Sequence, residues 1–170
     1  MAVLVADASG LVSLGIVADE NPDPLSLCLA RYEVVVPDVV IEELREVASY
    51  DDSHGRAASV VLDSITSATT QSVELDATFP LDDGENATVT LANEIGADLL
   101  LCDEFNQLGL VHASLADTRL VTTQTLLSVF VRAEELSASE AQTLLAKMSA
   151  ARSWDANSYV ERARSMFEQR

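Results

Sequence analysis

Lysine is almost absent from this sequence, which contains Lys147 alone beside nine arginines and 28 acidic residues. The formal net charge at pH 7 is therefore −18. A chain with so few bases does not suit ordinary nucleic-acid binding, which depends on basic surface patches. It does suit a high-salt cytoplasm, where surface carboxylates keep a protein hydrated and soluble, so we expect a halophilic source.

Long hydrophobic runs and a cysteine framework are lacking as well. No apolar run reaches the ~18 residues that a membrane-spanning helix needs. The first residues also lack the basic segment of a signal peptide, and we expect a cytoplasmic protein that contacts no membrane. Cys28 and Cys102 lie in apolar segments, which favours buried free thiols over a disulfide or a metal site.

The few bases are concentrated toward the C-terminus. Residues 1–131 contain 22 acids and four bases, whereas residues 132–170 contain six of each. High salt removes most of the counterion-release advantage of basic residues. Independently, bound metal and local arginines can bridge phosphates. Arg152, Arg162 and Arg164 are the candidate phosphate contacts, although a solvated helix face is the alternative for each.

What the sequence does have is a hydrophobic fraction of 48% and a length suited to one domain. Short β-rich runs alternate with longer segments of helical period, which predicts an α/β fold with a central parallel sheet between helices. The predicted strands are Val3–Ala6, Glu33–Val36, Val73–Leu75, Leu99–Cys102 and Leu120–Thr122. Helices are predicted to start at Leu25, Pro37, Ser53, Asp82 and Gln124, and near Phe105. Three more are predicted to follow cap residues, which are Ser9 and, in the tail, Ser137 and Asp155. The helix that starts at Ser53 is predicted to end at Ser67.

Four acidic residues are predicted near the carboxyl-terminal edge of the sheet, where open parallel sheets bind their ligands. Asp7 and Asp103 each follow directly after an apolar strand, and the carboxyl ends of parallel strands meet at one edge of the sheet. Glu43 lies in the helix after the second strand, and Glu85 lies in the first turn of the helix that precedes the Asp103 strand. In a chain with 28 acids each position except Asp7, taken alone, is more simply explained as structural, so the prediction depends on all four together.

Carboxylates crowded into one cleft need a counter-charge. Two unit charges ~4 Å apart repel by ~4 kcal/mol at an effective dielectric constant of ~20. Mg²⁺ and Mn²⁺ prefer oxygen ligands and would relieve this repulsion. A water on such a metal is a better nucleophile toward a phosphodiester, so the predicted chemistry is metal-dependent hydrolysis of a phosphodiester bond.

Four segments, Val3–Ser9, Val35–Leu44, Asp83–Ala92 and Ala97–Glu104, together resemble the PIN-domain ribonucleases, which include toxins of toxin–antitoxin pairs. The segments occur in the family's order and spacing, and Gly-Glu at 84–85 is similar to one subgroup. The subgroup tends to have an arginine after the fourth acid, where this chain has Phe105. The resemblance implies the following site: Asp7, Glu43, Glu85 and Asp103 as catalytic ligands of Mg²⁺ or Mn²⁺, with Ser9, Glu104 and Asp83 in support.

The resemblance also implies a domain organisation and partners. Residues 1–136 would form a three-layer α/β/α catalytic domain, and residues 137–170 would form a helical extension packed on it. Expected partners are an RNA substrate, an antitoxin protein and a second copy of the chain in a homodimer. The last segment carries an apolar stripe at helical spacing, which suits either plain core or a partner surface. Its members are Trp154, Tyr159, Val160, Ala163, Met166 and Phe167.

Other classes of acidic α/β protein fit less well. A response-regulator receiver needs paired acids after the first strand and a lysine after a late strand, whereas this chain has Asp7 there and Lys147 in its tail. A haloacid-dehalogenase-type phosphatase needs a second Asp where Ser9 stands. A serine hydrolase needs a Gly-x-Ser-x-Gly elbow, which is missing, and only His54 and His112 would serve as its base. The alternative that remains is a PIN-like module that binds partners without cutting RNA.

Overall fold

Five short parallel strands form the centre of the protein, as seen in a computed structural model that describes residues 1–65, 69–154 and 157–169. Their order across the sheet is β3-β2-β1-β4-β5, so β1 pairs with both β2 and β4. The strands are β1 (Val3–Ala6), β2 (Glu33–Pro37), β3 (Thr70–Gln71), β4 (Leu99–Leu101) and β5 (Arg119–Val121).

Helices cover both faces of this sheet. They are α1 (Ala8–Ile16), α2 (Pro24–Arg31), α3 (Asp38–Ala48), α4 (Ser53–Ser64), α5 (Asp83–Ile95), α6 (Leu108–Ser114), α7 (Thr123–Arg132), α8 (Ala138–Arg152) and α9 (Ser158–Glu168). On one face, Leu4 and Ala6 share a core with α1–α4 and α7–α9. On the other face, Val5 shares a second core with α5 and α6. Successive β1 residues thus serve opposite cores, as the alternation of side chains along a strand requires, and the predicted three-layer α/β/α fold is confirmed.

Local sequence signals set the ends of the two best-defined helices. Asp82 and Glu85 form a reciprocal capping box at the start of α5, and Ser137 and Glu140 form another at the start of α8. Gly96 ends α5 in the left-handed conformation at φ 61°, which costs a residue without Cβ least. The caps predicted at Asp82 and Ser137 are therefore confirmed.

The C-terminal helices belong to the same hydrophobic core as the sheet. Leu144, Met148 and Phe167 are buried in the cluster that contains Leu4 of β1. In the apolar stripe of the tail, Trp154, Val160, Ala163 and Phe167 are buried, whereas Tyr159 and Met166 are exposed. The stripe is thus mainly core, with two members left at the surface.

Four local predictions differ from the structure. Residues 73–75 form no strand; the edge strand is Thr70–Gln71, and because both of its residues are exposed no apolar alternation marks it. Residues 105–107 form a turn, and α6 starts at Leu108. Asp7, not Ser9, precedes α1 as its N-cap residue. Asn157 caps α9, while the predicted cap Asp155 and residues 66–68 of the predicted fourth helix lie outside the described residues.

Two further expectations concern cysteines and membranes. Cys28 and Cys102 are buried free thiols, as predicted. Among the described residues, no helix combines the length and the hydropathy that crossing a bilayer requires.

Candidate active site

Asp7 leaves the sheet at the carboxyl end of its central strand. In the register of β1 and β4, Ala6 lies opposite Leu101, and the Asp7 amide donates to the Leu101 carbonyl at 2.9 Å. The residues after β4, Cys102 and Asp103, therefore leave the sheet beside Asp7. The Asp7 side chain is buried at 4% exposure and makes no capping bond to α1, so its carboxylate is free to face the cleft.

Ser9 connects the two strand ends. Its hydroxyl donates to Asp7 Oδ2 at 2.9 Å and accepts the Asp103 amide at 2.9 Å. Loss of this buried hydroxyl would leave the Asp103 amide and an Asp7 carboxylate oxygen short of a hydrogen-bond partner. The supporting position predicted for Ser9 is thus next to Asp7 and Asp103.

Asp103 is held by the start of α7. Its Oδ1 accepts the Thr123 amide at 2.8 Å, and its Oδ2 accepts the Thr123 hydroxyl at 2.5 Å. The carboxylate is buried at 4% exposure, and both of its oxygens already have donors. Asp103 therefore stands beside the site but points toward α7.

Glu43 reaches the site from α3. A Cβ placed on Gly84 would lie 2.0 Å from Glu43 Oε1, so the carboxylate rests directly against the Gly84 backbone. The preceding residue, Glu42, is exposed and pairs with Arg45 at 2.5 Å. The choice of Glu43 over Glu42 as the inward acid agrees with this geometry, since one position along a helix turns a side chain by about 100°.

Glu85 is fixed by the cap of α5. Its amide donates to Asp82 Oδ1 at 2.9 Å, and its Oε2 accepts the Asp82 amide at 3.3 Å. One carboxylate oxygen is thus tied to the helix start, and the side chain is buried at 5% exposure. Asp83, predicted to support the site, is exposed at the outer side of the same turn.

One cavity of about 190 Å³ joins these elements. Its charged walls are formed by Asp7, Glu43, Asp82, Glu85, Glu104 and Arg152. Three of the four predicted catalytic acids therefore share one cavity, together with the predicted supporting residues Ser9 and Glu104. Asp103, Asp83, Arg162 and Arg164 are not among the lining residues.

Burial and mutual repulsion make these carboxylates hard to ionise. Burial raises the pKa of Asp7 to about 6, with smaller contributions from the charges of Glu104 and Asp82. Burial and the charges of neighbouring acids, Asp7 and Asp82 among them, raise the pKa of Glu43 to about 7. Burial and the Asp82 carboxylate raise the pKa of Glu85 to about 7. The cavity thus stores electrostatic repulsion that a cation would relieve.

The donor set of the cavity fits a hard divalent cation, because all of its acidic donors are carboxylate oxygens. Among the described residues, no three His, Cys, Asp or Glu side chains already stand together as a ready-made metal cluster. Mg²⁺ usually binds through one or two carboxylates and keeps several waters, so a ready-made cluster is not required. Asp7, Glu43 and Glu85 are the residues that would hold the ion.

Arg152 supplies a positive charge in the cavity wall. It lies at the end of α8, and its guanidinium carbon is 5.9 Å from the centre of the Trp154 ring. Burial lowers the pKa of Arg152, and the charges of Asp103, Glu104 and Asp7 oppose that shift. Of the three arginines predicted to contact phosphate, Arg152 is the one that faces the cavity.

Sequence reasoning missed two polar residues of this wall, Asp82 and His54. Asp82 carried a usable signal, since an Asp three residues before Glu85 is a capping-box pattern that places both acids at one helix end. His54 lies in the first turn of α4 and had no such signal. The position of His54 in the cavity wall depends on how α4 packs against α1 and α3. The sequence around His54 does not determine that packing.

Replacing Gly84 by alanine will push Glu43 out of place. The added Cβ would meet the flexible end of Glu43, so the side chain will move and the helix will stay folded. We expect Mn²⁺ affinity to fall about tenfold, in the range seen when a ligand's supporting contacts are disturbed, with the melting temperature nearly unchanged. Isothermal titration with Mn²⁺ measures this. Gly109→Ala is the matched control, since a Cβ there meets nothing within 4 Å; equal affinities in the two variants would contradict the prediction.

The comparison with known families covers nearly the whole chain. A family model for a PIN domain matches residues 3–169, including the C-terminal helices. No curated protein and no solved structure matches the chain. PIN domains are generally nucleases that use divalent metals, which agrees with an oxygen-lined cavity at the carboxyl end of the sheet. The chain therefore belongs to the PIN-domain family.

Proposed function

We propose that this protein hydrolyses RNA phosphodiester bonds as an endoribonuclease that depends on Mg²⁺ or Mn²⁺. One observation supports this most: Asp7 after β1, Glu43 on α3 and Glu85 on α5 line a single cavity although they lie far apart in the sequence. Three buried or half-buried carboxylates with raised pKa values destabilise an empty site. Such an arrangement becomes favourable when a bound cation offsets the repulsion among the carboxylates.

Each residue has a defined part in this proposal. Asp7, Glu43 and Glu85 hold the cation through carboxylate oxygens, and Ser9 orients Asp7. When bound, the cation activates a water and stabilises the charge that develops on the phosphate. Arg152, which lines the same cavity, would bind a phosphate oxygen, because its guanidinium offers a rigid donor fork. Asp103 remains the proposed fourth acid; its carboxylate is held by Thr123 beside the cavity, so it would support the site next to Asp7.

Two finer roles follow from the family resemblance. We propose that the protein acts in the cytoplasm as the toxin of a toxin–antitoxin pair, with an antitoxin protein as inhibitor and a homodimer as its working form. The exposed positions of α9, including Tyr159 and Met166, leave surface for a partner. Mixing the chain with its candidate inhibitor and measuring RNA cleavage would test the toxin role directly.

A second candidate function is a PIN-domain module that binds partners without cutting RNA. The observation that favours it is that no three potential ligand side chains in the described part of the chain already form a metal cluster. Such a module would retain the fold and the acidic cavity but would bind the cation too weakly for hydrolysis. The two functions differ in one measurable property, which is metal-dependent cleavage.

The matched pair Glu43→Gln and Glu42→Gln tests the proposal. Both variants remove one charge from the same helix, but Glu43 faces the cavity and Glu42 faces solvent. We expect Glu43→Gln to lower the rate of cleavage of a fluorescent single-stranded RNA at least about 100-fold with Mn²⁺ present, because metal binding loses a ligand. Glu42→Gln should cleave at the unmodified rate, and EDTA should stop both. A purified protein that cuts no RNA at any Mg²⁺ or Mn²⁺ concentration would instead support the binding module.

A further inference from the structure

Three aromatic rings form a cluster beside the acidic cavity. The ring centres of Phe105 and Tyr159 are 5.6 Å apart at an interplanar angle of 14°, so the two rings are stacked. The Trp154 ring meets Phe105 edge-on at 5.2 Å and 64°. Phe105 directly follows Glu104, which lines the cavity. The cluster thus connects α9 to the rim of the candidate active site.

The rings differ in their access to solvent. Trp154 is 7% exposed, which makes it part of the core, whereas Tyr159 is 49% exposed. Phe105 stacks against the Tyr159 ring, and about half of the Tyr159 surface remains open to solvent. The backbone of Tyr159 is also fixed, because its amide donates to the capping side chain of Asn157 at 2.9 Å. A flat aromatic surface is therefore presented outward on a rigid helix start.

Positive charge accompanies this surface. Arg162 is exposed three residues after Tyr159, so the two side chains are neighbours on one side of α9. Arg152 lies under the cluster, 5.9 Å from the Trp154 ring centre, and also faces the cavity. In a chain with a net charge of −18, the exposed Tyr159 ring thus has one arginine beside it on α9, and a second arginine lies against the neighbouring Trp154 ring. Aromatic faces combined with arginines bind single-stranded nucleic acids, because bases stack on the rings and phosphates pair with the guanidinium groups.

We propose that Tyr159, supported by Phe105, is a stacking platform for an unpaired RNA base, with Arg162 and Arg152 binding the flanking phosphates. This inference rests on the proposed ribonuclease function and adds a base-binding subsite on α9, outside the carboxylate cavity. A base in a duplex has both faces covered by its neighbours and cannot stack on the ring. The platform sits at the cavity rim, so the strand it holds passes the carboxylates.

Binding measurements on the full-length chain test the platform. All proteins carry Asp7→Asn to prevent cleavage, and the probe is a short fluorescent single-stranded RNA followed by fluorescence anisotropy. We expect Tyr159→Ala to weaken binding about tenfold, as for loss of one stacked base. Tyr159→Phe should bind like the parent because it keeps the ring. Met166→Ala, an exposed apolar change on the same helix, should also bind like the parent.

Cleavage and salt dependence separate the possible results. With Asp7 intact, Tyr159→Ala should raise KM about tenfold and leave kcat within about twofold. Arg162→Ala should reduce the slope of log affinity against log salt by about 1. Equal losses in Tyr159→Ala and Met166→Ala, unchanged affinity in Tyr159→Ala, or equal affinity for duplex RNA would each overturn the platform. If the intact protein cuts RNA but Tyr159→Ala changes neither binding nor cleavage, the platform is refuted and the ribonuclease function stands. If the intact protein cuts no RNA but binds single strands through Tyr159, the ribonuclease function is refuted and the platform stands.

Discussion

Asp7→Asn will lower RNA cleavage at least about 10³-fold. Asp7 is the acid at the end of the central strand, and the cation that we propose it helps to hold would supply several kcal/mol of transition-state stabilisation. A loss of about 4 kcal/mol corresponds to 10³-fold in rate. Asparagine keeps an oxygen that can accept the Ser9 hydroxyl, so the local hydrogen bonding survives. Single-turnover cleavage of a fluorescent RNA in excess Mn²⁺ measures the effect.

The same substitution should stabilise the metal-free protein. Burial at 4% exposure penalises the Asp7 charge, and the neutral amide removes this penalty. We therefore expect a higher melting temperature in EDTA together with the loss of cleavage, a combination that general misfolding cannot produce. Asp83→Asn is the matched control, since Asp83 is exposed and outside the cavity. Cleavage retained by Asp7→Asn would indicate a contaminating nuclease or a different active site.

The metal-free protein will lose stability as pH rises from 5 to 8. The pKa of Asp7 is raised from 3.8 to about 6, and those of Glu43 and Glu85 are raised from 4.5 to about 7. Between the ordinary and the raised values the folded state binds more protons than the unfolded state, so the free energy of unfolding falls with increasing pH. Asp7 alone contributes about 1.4 kcal/mol between pH 5 and pH 8, which corresponds to a change in melting temperature on the order of 4 °C.

A divalent cation should reverse this trend. Its binding requires ionised carboxylates, so the stabilisation by Mn²⁺ grows as pH rises through about 6 to 7. Thermal melts at fixed salt, from pH 5 to 8, with EDTA or with excess Mn²⁺, measure both trends. The variant with Asp7→Asn and Glu43→Gln should show a flatter pH profile in EDTA, which separates these groups from the rest of the chain. A melting temperature in EDTA that rises toward pH 8 would refute the assignment.

The sequence predicted most of the sheet and three of the four acid positions within the cavity. Strand β1 matches its predicted bounds because four apolar residues followed by an acid have no competing local pattern. Glu43 was chosen over Glu42 by the family resemblance, and Glu85 was placed in the first turn of α5 by the local start signal of that helix. The two-residue strand β3 was misplaced because it is exposed and its pairing with Val36 and Pro37 is long-range.

The direction of the Asp103 side chain is not set by the sequence around it. Sequence placed this acid after β4, as observed, but not the direction of its side chain. Thr123, twenty positions later, donates both its amide and its hydroxyl to the carboxylate. Which oxygen finds which donor depends on where β5 ends and α7 begins, so tertiary packing decides it.

By itself the sequence determined the parallel α/β architecture, the family resemblance and the acids at the strand ends and helix caps. These follow from hydrophobic period, capping patterns and residue order, which act over a few positions. The tertiary structure alone decided that Arg152 and His54 enter the cavity and that Tyr159 stacks on Phe105 at its rim. Those contacts join residues on different helices and loops, and only the packing of these elements against the sheet and against one another brings them together.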